Sequence, residues 1–407
     1  MKSWVEISEE RLAANYGALT HVAGDGIAVL AVIKANAYGH GAKVCAPVLV
    51  RAGAPWLGVT DAEEGVAVRA ALSEAGLSTE QQPGILVMSG LLQEDAEAIV
   101  QHRLTPVVWT TQQMAWLAEA VTLHDAEPLP VHLEIDTGMA RQGVAPDAEL
   151  HAVLEWLTRQ QKLQLTGVMT HFASSEVAES PLTLQQRQRF EQAISAVAAS
   201  GLKPDWVHAG NSSTVDNSVS LGNDPGSLNW MRDVALSIGA RAMVRTGVAL
   251  YGYCLPIESS DDLSPKPQVH AALRPVMTWK TGVIGVRDVQ SGDTVGYNAI
   301  YTAPKAMRLA LLPVGYADGL RRELSASDTQ SGGWVMLHRQ RAMIVGRVSM
   351  NLTVVDVTDI PHVNVGDEAT LLGDGITADD HAWLAGTISY EIVCGMRAAP
   401  RLLKTAG

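Results

Sequence analysis

Between residues 27 and 248, short apolar runs rich in branched side chains alternate with longer runs of helical character. The strand-like runs are Ile27 to Lys34, Trp56 to Thr60, Ile85 to Ser89, Thr105 to Trp109, Val131 to Asp136, Leu165 to His171, Trp206 to Asn211 and Ala242 to Thr246. A run such as Ile27-Ala-Val-Leu-Ala-Val-Ile33 is apolar without alternation, which suits a parallel strand buried on both faces. Eight such strands with helices between them predict an α/β fold, a TIM-like (β/α)8 barrel over residues 10–250, with its chemistry at the carboxyl ends of the strands. An open doubly wound sheet is the alternative.

Past residue 250 the texture changes. Val276 to Val289, Met307 to Pro313, Trp334 to His338, Met343 to Val348, Thr353 to Val357 and Glu368 to Leu372 read as strands between turn signals such as Ser-Gly-Asp and Val-Gly-Asp. They predict a mostly-β domain over 251–407. The opening Trp4-Val-Glu-Ile7 alternates like a strand, so residues 1–9 are expected to join that domain. Residues 217–240, with Gly222-Asn-Asp-Pro-Gly226, and residues 255–267 read as loops.

The net charge of −13 and the lack of any Lys/Arg block argue against nucleic acid or an anionic membrane surface as a partner. Cys45, Cys254 and Cys394 are odd in number and far apart, so neither a disulfide framework nor a metal site is expected. The first ten residues hold no signal-like apolar core and no apolar stretch reaches spanning length, so a cytoplasmic enzyme acting on small molecules is expected.

Lys34 stands where the first of these strands runs out, followed by Ala-Asn-Ala-Tyr38-Gly-His-Gly41 and a helix-like run from Ala42 to Arg51. A lysine at a strand end is partly desolvated and gives up its proton more easily, as a lysine that condenses with a carbonyl must. Taken alone, it also reads as a snorkelling side chain. Other strand ends carry polar clusters: Glu134-Ile-Asp136-Thr-Gly-Met-Ala-Arg141, Thr170-His171-Phe172, His208-Ala-Gly-Asn211-Ser212-Ser213 and Arg245-Thr-Gly247. Together they suit an anionic, planar aromatic cofactor. Ser212, Gly247 and Val248 offer a hydroxyl and N–H groups to a phosphate, Tyr38 adds a phenol, His171 stacks on a ring and Arg245 meets its nitrogen.

The Lys34 segment and the motifs Asp-Thr-Gly-Met-x-Arg, Thr-His-Phe-Ala, His-Ala-x-Asn-Ser and Met-Val-Arg-x-Gly-Val-x-Leu-Tyr-Gly resemble the alanine racemase family in order and spacing, over nearly the whole chain. The resemblance implies a pyridoxal 5'-phosphate enzyme that interconverts L- and D-alanine with two bases. Lys34 serves one face of the substrate and Tyr297, in Gly296-Tyr-Asn-Ala-Ile-Tyr301, serves the other. Tyr38, His171, Asn211, Ser212, Arg245, Gly247, Val248 and Tyr390 are implied to hold the cofactor, and Arg141, Tyr316, Met350 and Asn351 the substrate. In such a family Tyr297 reaches the site of the other subunit, so a head-to-tail homodimer is implied.

Three positions depart from the family pattern. Glu134 stands where a carbamylated lysine is frequent and supplies a carboxylate directly, expected to orient Arg141. Asn351 replaces a common aspartate and Ser349 a cysteine or alanine, which leaves the side chain of the substrate open, with serine as the other small amino acid. A barrel-type amino-acid decarboxylase prefers an acid where this chain has Arg245, and a non-catalytic pyridoxal-phosphate carrier has no use for Tyr297 and Tyr316.

Overall fold

A computed structural model describes residues 2–218, 226–259 and 267–403. The chain divides into two compact units, one of residues 12–36 and 45–273, the other of residues 1–11, 37–44 and 274–407. The expected loop signals at 219–225 and 260–266 lie outside the described residues.

The chain opens with β1, Ser3–Ser8. The larger unit then holds β2 (Ile27–Val32), β3 (Trp56–Val59), β4 (Gly84–Val87), β5 (Thr105–Val108), β6 (Leu129–Glu134), β7 (Leu163–Met169), β8 (Trp206–His208) and β9 (Arg241–Thr246). These pair in parallel in sequence order, and β9 returns to β2 to close the barrel. Seven of the eight expected strands overrun their carboxyl ends by one to three residues, and the eighth ends with β9 at Thr246. Those last residues, Lys34, Asp136, His171 and Asn211 among them, leave the ladder and are the polar ones.

Residues 217–240, expected as a loop, contain the helix Gly226–Ser237. Its buried face runs Ser227, Trp230, Met231, Val234 and Ala235, the i, i+3, i+4, i+7, i+8 stripe of a helix on a core.

In the other unit β10 (Met277–Gly282) and β11 (Gly285–Val289) are followed by β12 (Thr294–Val295), β13 (Tyr301–Thr302), β14 (Met307–Leu312), β15 (Trp334–Leu337), β16 (Gln340–Met343), β17 (Thr353–Asp356), β18 (Glu368–Leu372) and β19 (Pro400–Leu403). One sheet runs β16-β15-β18-β10-β1-β19, a second β11-β14-β17, and β12 pairs with β13. The opening strand lies antiparallel to Met277–Gly282, Val5 opposite Trp279.

The single strand expected over Val276 to Val289 is two strands in different sheets. The break falls at Val283 and Ile284, whose N–H groups bond Asp367 and Leu311 across opposite neighbours. Periodicity alone cannot show such a change of partner. The strand expected over Met343 to Val348 is likewise displaced to Gln340–Met343, paired with Trp334–Leu337.

Candidate active site

Lys34 follows β2 and heads a single helical turn, Lys34–Tyr38. The turn winds left-handed: φ is +52°, +53°, +56° and +51° at Ala35, Asn36, Ala37 and Tyr38. Each such residue costs about 1–2 kcal/mol, so four in succession need outside support. The Glu64 carboxylate gives it, accepting from Asn36 N–H at 3.1 Å and from Thr60 N–H at the end of β3 at 2.9 Å.

Beyond β6 the Asp136 Oδ1 accepts from the N–H groups of Gly138, Met139 and Ala140 at 2.9, 2.9 and 3.1 Å. The loop returns to its strand as Val144 N–H bonds Glu134 O at 2.9 Å. Gly143, at φ +106°, is required there, because a Cβ would lie 2.7 Å from the Asp136 nitrogen. Arg141 rides exposed on this loop.

Glu134 is buried, and its Oε2 accepts from Gln142 Nε2 at 2.5 Å. The same amide nitrogen donates to Met88 O at 2.8 Å. The expected direct contact with Arg141 is thus taken by Gln142, and Arg141 bears on Glu134 through its charge. Burial pushes the Glu134 carboxyl above its usual range, against the Gln142 bond and the charges of Arg245 and Arg141.

Arg245, on β9, is almost fully buried. Its Nη2 donates to Thr170 O at 2.7 Å and to His171 Nδ1 at 3.0 Å, and its Nη1 to His208 Nδ1 at 3.2 Å. Burial, with Arg141 adding to it, lowers its pKa to about 10 against the opposing charge of Glu134, so it stays charged at neutral pH. His171 falls to about 3, by burial first and then by the charges of Arg245, Arg141 and Lys34. It is a neutral ring at any working pH.

Gln186, from the helix Pro181–Ala199, fixes the His171 segment: its amide donates to His171 O at 2.9 Å and Thr137 Oγ1 at 3.1 Å, and accepts from Ala173 N–H at 2.9 Å. Thr137 and Thr170 meet at 2.7 Å between their hydroxyl oxygens.

After β8 the short helix Ser212–Asp216 begins, with Asn211 as its N-cap. Asn211 Oδ1 accepts from Thr214 N–H at 3.1 Å. Ser212 Oγ accepts from Gly247 N–H at 3.0 Å and Ala249 N–H at 3.3 Å. The two N–H groups on the serine are therefore those of Gly247 and Ala249, flanking the expected Val248.

The remaining expected residues belong to the other unit. Tyr38 and Tyr390 lie with ring centroids 6.2 Å apart, tilted by 60°. Burial, Tyr390 and Cys394 push the Tyr38 phenol well above its usual pKa. Tyr297 starts a 3-10 turn between β12 and β13 and is 67% exposed. Val295, Ala303, Met307, Leu309 and Val345 form a small core that anchors the hairpin carrying it. Tyr316 N–H bonds Ser349 O at 3.0 Å and Ala317 N–H bonds Met350 O at 2.9 Å, so these two segments are laced together. Asn351 Nδ2 donates to Asp318 Oδ2 at 3.1 Å, the oxygen that also accepts from Gly315 N–H at 3.0 Å.

The sequence reading missed Glu64, Gln142 and Gln186, polar side chains in no motif, each of which also bonds a partner 15 or more residues away.

Residues 7–255 match the family model for the alanine racemase N-terminal domain, and residues 276–403 that for the C-terminal domain. The chain belongs to the alanine racemase family. It is 33% identical over 407 residues to an alanine racemase of Halothermothrix orenii, covering 99% of this chain and 97% of the relative. With one from Symbiobacterium thermophilum the identity is 35% over 409 residues, 98% and 96% of the two chains. Among solved structures, the alanine racemase from Streptomyces coelicolor A3(2) superimposes with a TM-score of 0.84 at 32% identity, covering 98% of this chain and 97% of its own. An alanine racemase from Bartonella henselae, solved with covalently bound pyridoxal phosphate, gives 0.77 at 25% identity, covering 99% of this chain and 100% of its own. Among the described residues no helix is long and apolar enough to cross a membrane.

Proposed function

We propose that the chain is a pyridoxal-phosphate-dependent alanine racemase using Lys34 and Tyr297 as its two bases. The observation that carries this reading is the strand-end constellation of Lys34, His171 and Arg245 in a barrel of that family. The donor set fits the cofactor. The Ser212 oxygen accepts from Gly247 and Ala249 N–H, which leaves its own hydroxyl hydrogen to donate to a phosphate beside the start of a 3-10 helix. A guanidinium carries five N–H donors, of which His208, Thr170 and His171 take part, so capacity remains for a ring nitrogen.

When bound, pyridoxal phosphate supplies an aldehyde for the amino group of the substrate and a conjugated ring that withdraws electrons from its Cα–H bond. Lys34 anchors it and then moves the Cα proton on one face. Arg245 donates a hydrogen bond to the ring nitrogen and does not hand over a proton, which keeps the electron withdrawal modest and favours return of the proton to Cα over other outcomes. His171, held neutral, would offer an uncharged face to the ring. Arg141 would meet the substrate carboxylate, and Met350, Asn351 and Tyr316 are the substrate-binding residues proposed in the other unit. Tyr38 and Tyr390 help to hold the phosphate.

Tyr297 comes from a second copy of the chain in a head-to-tail homodimer. Its high exposure on an anchored hairpin supports that role. Here Asn351 supports the Tyr316 turn through Asp318.

Chiral chromatography of L-alanine incubated with purified protein and pyridoxal phosphate tests the reading. D-alanine is expected as the main product, abolished in Lys34→Ala and strongly slowed in Tyr297→Phe. Preferential racemisation of serine would move the substrate assignment, and no enantiomer change with any small amino acid would overturn the racemase reading.

A further inference from the structure

The buried histidines behind Arg245 take no part in the proton transfers at Lys34 and Tyr297. His132, on β6, and His208, on β8, are both fully buried. His132 Nδ1 and His208 Nε2 lie 2.9 Å apart, and His208 Nδ1 lies 3.2 Å from Arg245 Nη1.

Arginine can only donate, so it settles the tautomers along this line. His208 Nδ1 accepts from Arg245. His208, neutral, then carries its hydrogen on Nε2 and donates to His132 Nδ1. His132 in turn carries its hydrogen on Nε2, a buried atom with no hydrogen-bond partner. Its ring lies against Trp56, centroids 5.3 Å apart. Both imidazoles are held neutral, by burial first and then by neighbouring charge, His132 at about 3 and His208 well below its usual value.

The barrel is built around this line. The pairing of β6 with β7 shifts register between Val131 and His132, which sets Gly167 opposite His132. A Cβ on Gly167 would fall 2.5 Å from the imidazole ring.

The guanidinium meets Thr170 O and His171 through one nitrogen, Nη2. Contacts on that nitrogen alone leave it free to swing about Nη2. The contact from Nη1 to His208 is the second point that fixes its plane.

We propose that His208 and His132 are positioning residues for Arg245, a two-imidazole strut through the barrel core whose hydrogen bonds all run one way, from Arg245 to His208 to His132. The proposal rests on the reading that Arg245 serves the cofactor ring.

Two substitutions at one site separate positioning from packing. In His208→Asn the amide oxygen takes the place of Nδ1, so the acceptor for Arg245 survives. In His208→Gln the amide reaches the place of Nε2, so the bond to His132 survives and the acceptor is lost. With pyridoxal phosphate bound, the asparagine variant is expected to keep kcat within about tenfold, whereas the glutamine variant loses about a hundredfold, the scale set by a misplaced catalytic group. KM for alanine is expected to move little, and the visible band of the bound cofactor to shift only in the glutamine variant.

Equal losses and equal spectra in both variants would overturn the proposal. Nitrogen-15 resonances of labelled histidine in the wild-type protein give a second readout independent of turnover. They are expected to show His208 and His132 unprotonated at Nδ1 and insensitive to pH between 6 and 9, and a proton on either Nδ1 would also overturn it. A wild-type protein that shows this tautomer pattern but racemises nothing would count against the racemase reading and leave the strut standing.

Discussion

The Glu64 carboxylate holds the backbone N–H of Asn36 at 3.1 Å, inside a left-handed turn that no glycine relieves. Its other oxygen holds Thr60 N–H at 2.9 Å. Removing it in Glu64→Ala releases two charge-assisted bonds and is expected to cost about 1–3 kcal/mol, read as a lower urea midpoint. Adding Ala35→Gly, which suits φ +52°, is expected to recover part of that loss. Lack of recovery would mean that the strain is not borne at this turn.

Asn351→Asp tests the contact with Asp318. It sets two carboxylates at the 3.1 Å now occupied by an amide and a carboxylate. One of the pair must then have a raised pKa in the fold, so the stability it carries is present at low pH and is lost as pH rises through that value. The variant is expected to be about 1–3 kcal/mol less stable than wild type at pH 8, with the gap narrowing at pH 5, by urea melts at both. A gap independent of pH would show that the two side chains do not meet.

Acid should unfold this protein through its buried histidines. His40 and His381 lie at about 4, His132 and His171 at about 3, each lowered mainly by burial. A folded-state value below the unfolded one gives stability that is complete above about pH 6.5 and is lost as pH falls toward the folded value. Near pH 5 these four residues alone add about four protons to the uptake on unfolding, a steep slope of stability against pH. Glu134, raised by burial, works the other way: its contribution is complete at low pH and lost as pH rises. Proton uptake near zero at pH 5 would show that these rings are charged in the fold.

Gly39→Ala is expected to be among the most damaging single-methyl additions. The residue sits at φ +77°, and a Cβ there would fall 2.2 Å from the Val393 carbonyl oxygen, which belongs to the backbone and cannot rotate away. A loss of more than about 2 kcal/mol is the expected result in thermal melts and, on the proposed reading that Tyr38 and Tyr390 hold the cofactor, weaker retention of it on dialysis. A variant as stable as wild type would place Gly39 elsewhere.

The barrel was legible because both faces of its strands are buried, which leaves runs such as Ile27–Val32 with no polar interruption. Asp136, His171, Ser212 and Arg245 were legible too, as polar residues where such runs end. The change of sheet after Gly282 was not, since β10 and β11 have equal claims to one long strand until their partners are known. Nor was the hand of the turn after Lys34. Lys-Ala-Asn-Ala-Tyr holds no glycine, and its local preferences favour a right-handed helix, so the sense comes from tertiary contacts of the kind Glu64 makes. The strut of His132 and His208 was half visible. His208 ends a strand, but its orientation depends on an arginine 37 residues further on.

The turn also limits how this stretch can change over generations. Ala35 and Asn36 are exposed, so what their positions restrict is backbone conformation, and side chains that tolerate a positive φ can stand there. The number of residues between Lys34 and Tyr38 cannot drift by one. A gain or loss there would swing everything that follows around the axis by roughly a quarter of a revolution, in the sense opposite to an ordinary helix. Neighbouring loops can lengthen and shorten gradually, but this interval must be kept or rebuilt whole.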